Sequence, residues 1–302
     1  MTRALDARAG AANGRAAALF VAVSALWGVP YALIAISLDE GFTAWTVAAG
    51  RVAVAAAALL VLTLPRAGLG ALRGRWRFVV AVALVDVAAP FALITLAERS
   101  ISSSVAGVLV ASTPLWVALL ALRFARGERP GRIQLTGIAL GFGGVVLLLG
   151  LGSVGTDVVG GGAMVLLASL GYAAASLIVK QRLADVPPLP LTAATLGVAT
   201  LALAPFALAD LPDQAPTARG WAALLALGIA CTAVAFGLFY ALIAEAGAGR
   251  AALITYVAPI FAVLLGVLAL DEGFTAANAV GVMLILAGAW LAARPADDGY
   301  GL

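Results

Sequence analysis

Apolar residues along this chain gather into ten runs of roughly 20, the length an α-helix needs to cross a bilayer, and do not show the short amphipathic spacing of a soluble fold. Arg, Asp, Pro and Gly collect in the short stretches between the runs. The pattern predicts spans at 17–37, 42–64, 77–97, 101–122, 133–152, 160–179, 190–209, 221–243, 251–270 and 274–293. The connections are too short for a soluble domain. The predicted fold class is therefore an all-α integral membrane protein with ten transmembrane helices and the lipid bilayer as its first partner.

Cations give the direction of threading, because cytoplasmic loops retain Lys and Arg. With both ends cytoplasmic, every cation except Arg51, Arg99 and Arg219 falls on the inner side. The reverse threading would strand that same set outside. The expected localisation is a multi-pass inner-membrane protein with cytoplasmic N- and C-termini. Asp39, Glu40, Asp210, Asp213, Asp271 and Glu272 then fall on the outer side, and Trp45, Trp76 and Trp221 sit at span ends, where an aromatic belt would place them.

The chain also resembles itself. A shift of 145 lays Phe91 on Phe236, Ala106 on Ala251 and Pro114 on Pro259. After a one-residue gap, a shift of 144 lays Glu128 on Glu272, Gly137 on Gly281 and Gly144 on Gly288, and it also brings Leu26, Leu33 and Ile34 onto Leu170, Leu177 and Ile178. Two five-helix repeats follow, 17–152 and 160–293, between an N-terminal tail 1–16 and a C-terminal tail 294–302. Five is odd, so the second repeat enters from the opposite side. Inverted-topology repeats belong to secondary transporters, and they make the first span a structural member rather than a cleaved signal peptide.

Composition narrows the function. Hydrophobic residues make up 64% and charged residues 11%, against about 25% charged in an average soluble domain. The absence of His removes the usual general base, metal ligand and proton switch at once, and the lone Cys231 excludes an internal disulfide. No metal or cofactor is expected. A net charge of +3 spread over scattered Arg gives no nucleic-acid footprint. Ser–His and HExxH chemistry both need His, and an aspartyl dyad needs two carboxylates, whereas Asp86 is the one acid well inside a span. An intramembrane enzyme is thus a remote alternative. A passive channel or facilitator stays open, since a pore also needs polar inward faces.

Helical spacing gathers Ser24, Trp27 and Tyr31 on one face of the first span, and Ser169, Tyr172 and Ser176 on one face of the sixth. Together they suggest an amphipathic pocket wall for a zwitterion with an apolar side chain, or else hydroxyls that merely bond between helices. Phe236, Tyr240, Thr255 and Tyr256 are further substrate-facing candidates. Pro114 and Pro259 each free a backbone carbonyl, of Val110 and Thr255, and are expected to kink their helices at matched depths as hinges. Arg51 and Asp86 fall at nearly the same depth and are expected to pair, as a static tie or as a pair that exchanges with a proton or a substrate amine. The seven-residue spacing of Gly137 and Gly144, and of Gly281 and Gly288, predicts close packing of the fifth and tenth spans with each other or with a second copy. An oligomer is possible on this pattern but not required by it.

Leu26-Trp27-Gly28, Arg51, and the series Pro114, Glu128, Gly137, Gly144 repeated as Pro259, Glu272, Gly281, Gly288 resemble the drug/metabolite transporter superfamily, and within it the EamA-type ten-helix exporters. The likeness covers residues 17 to 293. It implies secondary transport, with export of amino acids or related small metabolites by alternating access around a central cavity. It does not name a cargo or a driving ion. The second-repeat equivalent of Arg51 falls near Thr195 and Leu196, so a role for Arg51 is not duplicated.

Overall fold

The computed structural model describes residues 2–63, 68–124, 131–149 and 156–293. Glu128 and the 294–302 tail lie outside the described residues. Ten apolar helices cross the bundle among the residues described: α1 Gly14–Asp39, α2 Ala44–Val61, α3 Trp76–Ala97, α4 Ser103–Leu120, α5 Arg132–Leu149, α6 Thr156–Arg182, α7 Pro188–Ala209, α8 Ala218–Ala246, α9 Ala248–Ala269 and α10 Ala276–Ala292. We call the face where α1 begins and α10 ends the terminal face, and the opposite one the distal face. The predicted spans hold to within a few residues. One addition lies at the start, where the helix already begins at Thr2, ahead of the span. Alanine at positions 4, 7, 9, 11 and 12 accounts for it, being the best helix former.

Hydrocarbon gives little hydrophobic reward for helix association, so close contact between small residues has to supply it. α5 and α10 pack along their length through the four predicted glycines. A Cβ on Gly144 would lie 2.7 Å from the carbonyl of Gly281, and one on Gly137 would lie 2.7 Å from that of Gly288. α2 and α7 meet through Ala48, Ala55, Ala193 and Ala199, all buried. Other large contacts come in repeat-related couples, α1 with α8 and α6 with α3, α1 with α9 and α6 with α4, while α4 and α9 meet each other. Leucines such as Leu201 and Leu268, about three-quarters exposed at 76% and 77%, point outward to lipid.

Several helices are interrupted. α1 bends at Val29 before Pro30. α4 breaks at Ala111–Ser112, directly before Thr113–Pro114, and the freed Val110 carbonyl is taken by the Thr113 hydroxyl at 2.7 Å. The expected match at Pro259 is absent. α9 breaks earlier, at Ala252–Leu253, where i→i+3 bonds from Leu253 to Arg250 and from Thr255 to Ala252 tighten the turn, and Pro259 sits inside the continuous segment Ile254–Ala269. A matched pair that the sequence did not announce appears instead. α3 carries a π-helical turn at Ala83–Ala88 and α8 carries one at Ile229–Val234, and a shift of 146 superposes the two.

Candidate functional site

Widened turns of this kind recur at functional sites, because they misalign a helix face at one point. Asp86 lies in the first, and it lines a cavity of about 220 Å³ between α3, α6, α7 and α8. The walls are Val82 and Val87, Leu183 and Val186, Leu191 to Leu196, and the rings of Phe236 and Tyr240. Thr192 and Thr195 add hydroxyls, and Thr192 shares a hydrogen bond of 2.5 Å with the Tyr240 hydroxyl. Asp86 is the one formally charged side chain in that wall. The lining runs from mid-membrane at Asp86 to the α6–α7 connection at Leu183–Pro188, so the cavity belongs to the terminal half of the bundle.

Thr232 lies in the second π-turn, and it serves Arg51. The guanidinium is buried, Nε donates to Thr232 Oγ1 at 3.0 Å, and Cζ stands 4.1 Å over the ring of Phe91. The Thr232 hydroxyl in turn donates to the Leu227 carbonyl at 2.8 Å, five residues back, the spacing that a π-turn opens. Tyr31, Tyr172, Glu98 and Cys231 complete the electrostatic surroundings of Arg51. Tyr172 lies within electrostatic reach of both Arg51 and Asp86.

The expected Arg51–Asp86 ion pair does not form. None of the three ion pairs among the described residues includes either group. Equal depth does not make two side chains face one another, and here each turns to the other repeat. Arg51 of α2 meets the bulge of α8, while the bulge of α3 opens on α7. Arg51 falls on Thr195 at a shift of 144, and Asp86 falls on Thr232 at the shift of 146 that superposes the π-turns, so the two contacts are related to each other.

That relation also locates the counterpart of the cavity. Val186, Leu191, Thr192, Thr195 and Leu196 correspond to Phe42, Val47, Ala48, Arg51 and Val52, and Phe236 and Tyr240 correspond to Phe91 and Thr95. These counterparts are buried, as Val186, Leu191, Thr192, Thr195 and Leu196 are themselves, so it is the packing rather than the burial that separates the two halves. Where Tyr240 reaches across to Thr192, Thr95 instead bonds back to its own Phe91 carbonyl at 2.7 Å. The distal half is shut by close backbone packing: a Cβ on Gly228 would lie 2.6 Å from Val54, and one on Gly28 would lie 3.1 Å from the Ala262 nitrogen. At the distal mouth, Glu272 beyond α9 accepts from Ser103 N at 2.6 Å, Ser104 N at 2.9 Å and Ser104 Oγ at 2.5 Å, capping α4 across the repeats.

The other sequence candidates divide. Phe236 and Tyr240 line the cavity, and Trp27 packs at its edge against Phe236 and Phe239, with ring centroids 5.8 and 4.7 Å away. Tyr31 and Tyr172 stand at the centre near Arg51. Ser24 is buried and bonds its own Phe20 carbonyl at 2.7 Å, while Ser176 is exposed and bonds Ala173 at 2.7 Å. Neither hydroxyl lines the pocket. Tyr256 packs toward Leu115 and Ala289, away from the cavity, and Thr255 does not line it. Sequence reasoning missed Thr192, Thr232 and Glu98. No sequence signal pointed to Thr232: the shift of 145 that lays Phe91 on Phe236 puts Asp86 on Cys231, and only the superposition of the two π-turns at 146 brings Asp86 to Thr232.

Ten helices in two inverted repeats around a one-sided intramembrane cavity define a polytopic membrane protein of the transporter type. The EamA-like transporter family matches it twice, over residues 14–150 and 160–294, and the chain belongs to that family. An uncharacterized transporter of Archaeoglobus fulgidus is 26% identical over 285 residues, 92% of this chain and 97% of the relative. The uncharacterized transporter YetK of Bacillus subtilis (strain 168) is 28% identical over 189 residues, 60% of this chain and 57% of its own. A solved crystal structure shares the fold at a TM-score of 0.65 and 23% identity, covering 92% of this chain and 97% of that one.

Proposed function

We propose that this protein is a secondary transporter of the inner membrane, with both termini cytoplasmic, that exports a small polar metabolite of the amino acid class by alternating access. One observation carries the reading. A cavity with a few polar groups in a mostly apolar wall occupies the terminal half, while the distal half is tightly packed around Gly28 and Gly228. Exchanging the conformations of the two repeats would close the first and open the second. On this reading the structure faces the cytoplasm. The cavity of about 220 Å³ falls below the roughly 300–1,000 Å³ of drug-sized pockets, which suits a metabolite of few heavy atoms. Asp86 offers a carboxylate to an ammonium group or a proton, and Phe236 offers an apolar face to a side chain. Pro114, beside the break in α4, is the stronger hinge of the proposed pair, and Pro259 follows the break in α9.

The test combines accessibility with flux. Thr192→Cys should react with an impermeant maleimide from the cytoplasmic side of oriented vesicles, and Ala48→Cys only from the other side and only while the protein cycles. Amino acid exchange should saturate and show counterflow. Flux linear in concentration without counterflow would establish the channel reading instead. Asp86→Asn should retain exchange while losing proton-driven accumulation.

A further inference from the structure

Glu98 is a half-buried titratable group that this transport cycle leaves idle. It follows Ala97 at the distal end of α3, and its Oε1 is buried without a hydrogen-bond partner. Its Oε2 lies 3.2 Å from Ser103 Oγ, and that same Oγ lies 3.1 Å from the Tyr31 carbonyl. A hydroxyl has one proton to give. With Glu98 ionised, Ser103 could satisfy one of these contacts, and the other would set lone pair against lone pair. With Glu98 protonated, its hydroxyl donates to Ser103 Oγ and Ser103 donates to Tyr31, so both contacts are hydrogen bonds.

The surroundings agree. Glu272 faces Glu98 from the α9–α10 connection, and its two oxygens accept three donors at the start of α4, which calls for the ionised form. A second negative charge beside it in a water-poor site is disfavoured. From α2 the facing group is Arg51, already held by Thr232 and Phe91 and making no ion pair with Glu98. From α1 it is Tyr31, and the adjacent Arg99 is exposed. Burial above all, and then the Glu272 charge against the opposing Ser103 bond, hold the Glu98 carboxyl well above the ordinary range.

We infer that Glu98 is a proton-binding site open to the distal compartment, and that the distal side closes only with the proton bound. The inference rests on the alternating-access reading. Opening admits water to Glu98, which then releases its proton to the distal compartment, and reclosing takes one back. Because the closed state binds the proton more tightly, acid on the distal side favours closure and alkali favours opening. One linked proton changes the closed-to-open ratio by at most about tenfold per pH unit.

The chain carries its own reporter in Cys231, its single cysteine, buried beside Arg51 in the α8 bulge. Full-length protein in oriented vesicles is treated from the distal side with an impermeant maleimide at about pH 6.5 and about pH 8.5. Glu98→Gln keeps a donor for Ser103 without a titrating proton, so its profile reports the thiol's own ionisation. Wild-type labelling should accelerate more between the two pH values than that of Glu98→Gln, by up to about tenfold per unit. Glu98→Asp should recover part of the difference. Identical profiles in the wild type and Glu98→Gln would overturn the proton site while leaving alternating access intact. Absence of distal labelling in every protein at both pH values would overturn alternating access, and the proton site with it.

Discussion

Arg51 is a cation at the centre of a membrane protein with no carboxylate in an ion pair with it, so its neutral partners have to hold it. Thr232 Oγ1 accepts a hydrogen bond from its Nε and Phe91 supplies the ring face. Thr232→Val should therefore cost about 1–3 kcal/mol, the penalty for orphaning a buried polar group, with Thr232→Ser recovering most of it. Thermal unfolding in detergent reads this directly, and an unchanged melting point for the valine variant would shift the burden to Phe91. At the terminal rim, Arg75 hydrogen-bonds the exposed Asp185 and holds its carboxyl below the usual range. Such a lowered value adds stability above the unfolded pKa and loses it as pH falls through the folded one. Asp185→Asn should thus narrow its gap to the wild type only on acidification below the ordinary carboxylate range. A gap unchanged through that window would show the pair to be idle. Depth along the membrane was legible at this scale and azimuth was not. A rise of about 1.5 Å per residue puts Arg51 and Asp86 level, but the extra residue in the α3 π-turn rotates the face by about 100°. Ser24 and Ser176 misled for another reason. A hydroxyl in a membrane helix can bond its own chain three or four residues back, so its presence on a face does not mark a pocket.

The α5–α10 seam is the element whose geometry was most legible from sequence, because glycines seven residues apart leave one reading of a helix face. Gly288 is the tightest place to test: a Cβ there would lie 2.6 Å from the Gly137 carbonyl and from the Gly141 Cα. Gly288→Ala should destabilise by about 1–3 kcal/mol, as overpacking does, while Gly143→Ala on the partner helix α5, with nothing within 4 Å of the added carbon, should be neutral. Equal melting points for the two variants would mean that the seam gives way easily. Helix breaks were harder to read. Pro114 marked one correctly, because the bond it removes falls beside Ala111–Ser112, but α9 breaks through i→i+3 bonding at Ala252–Leu253 with no proline to announce it. The two π-turns leave no composition signal at all. They became visible only as paired geometry.

Across the whole molecule the repeat accounts for more than the packing seam. The rim pair Arg75–Asp185 on the terminal face has its relative on the distal face in Arg219–Glu40 at 3.2 Å, since the repeat shift carries Arg75 to Arg219 and Glu40 to Asp185. Each ties the loop after the first helix of one repeat to the third helix of the other. Topology can be tested apart from any substrate: a reporter active only in the periplasm should give signal when fused after Asp213 and none after Gln181 or Pro295. The opposite pattern would invert the orientation proposed here and with it the side that the cavity faces.

Two identical repeats would make the inward and outward states mirror one another in energy. These repeats are not identical where it matters, for Arg51 stands opposite Thr195 in the comparison, and Asp86 opposite Thr232. The empty protein therefore has an unequal seesaw, and a tilt of only about 1.4 kcal/mol would park roughly nine molecules in ten on one side. Such a tilt cannot alter the gradient at which net movement stops, which belongs to the solutes alone. It sets which half of the cycle waits, so that loading from one side meets a ready protein and loading from the other must first wait for it to turn.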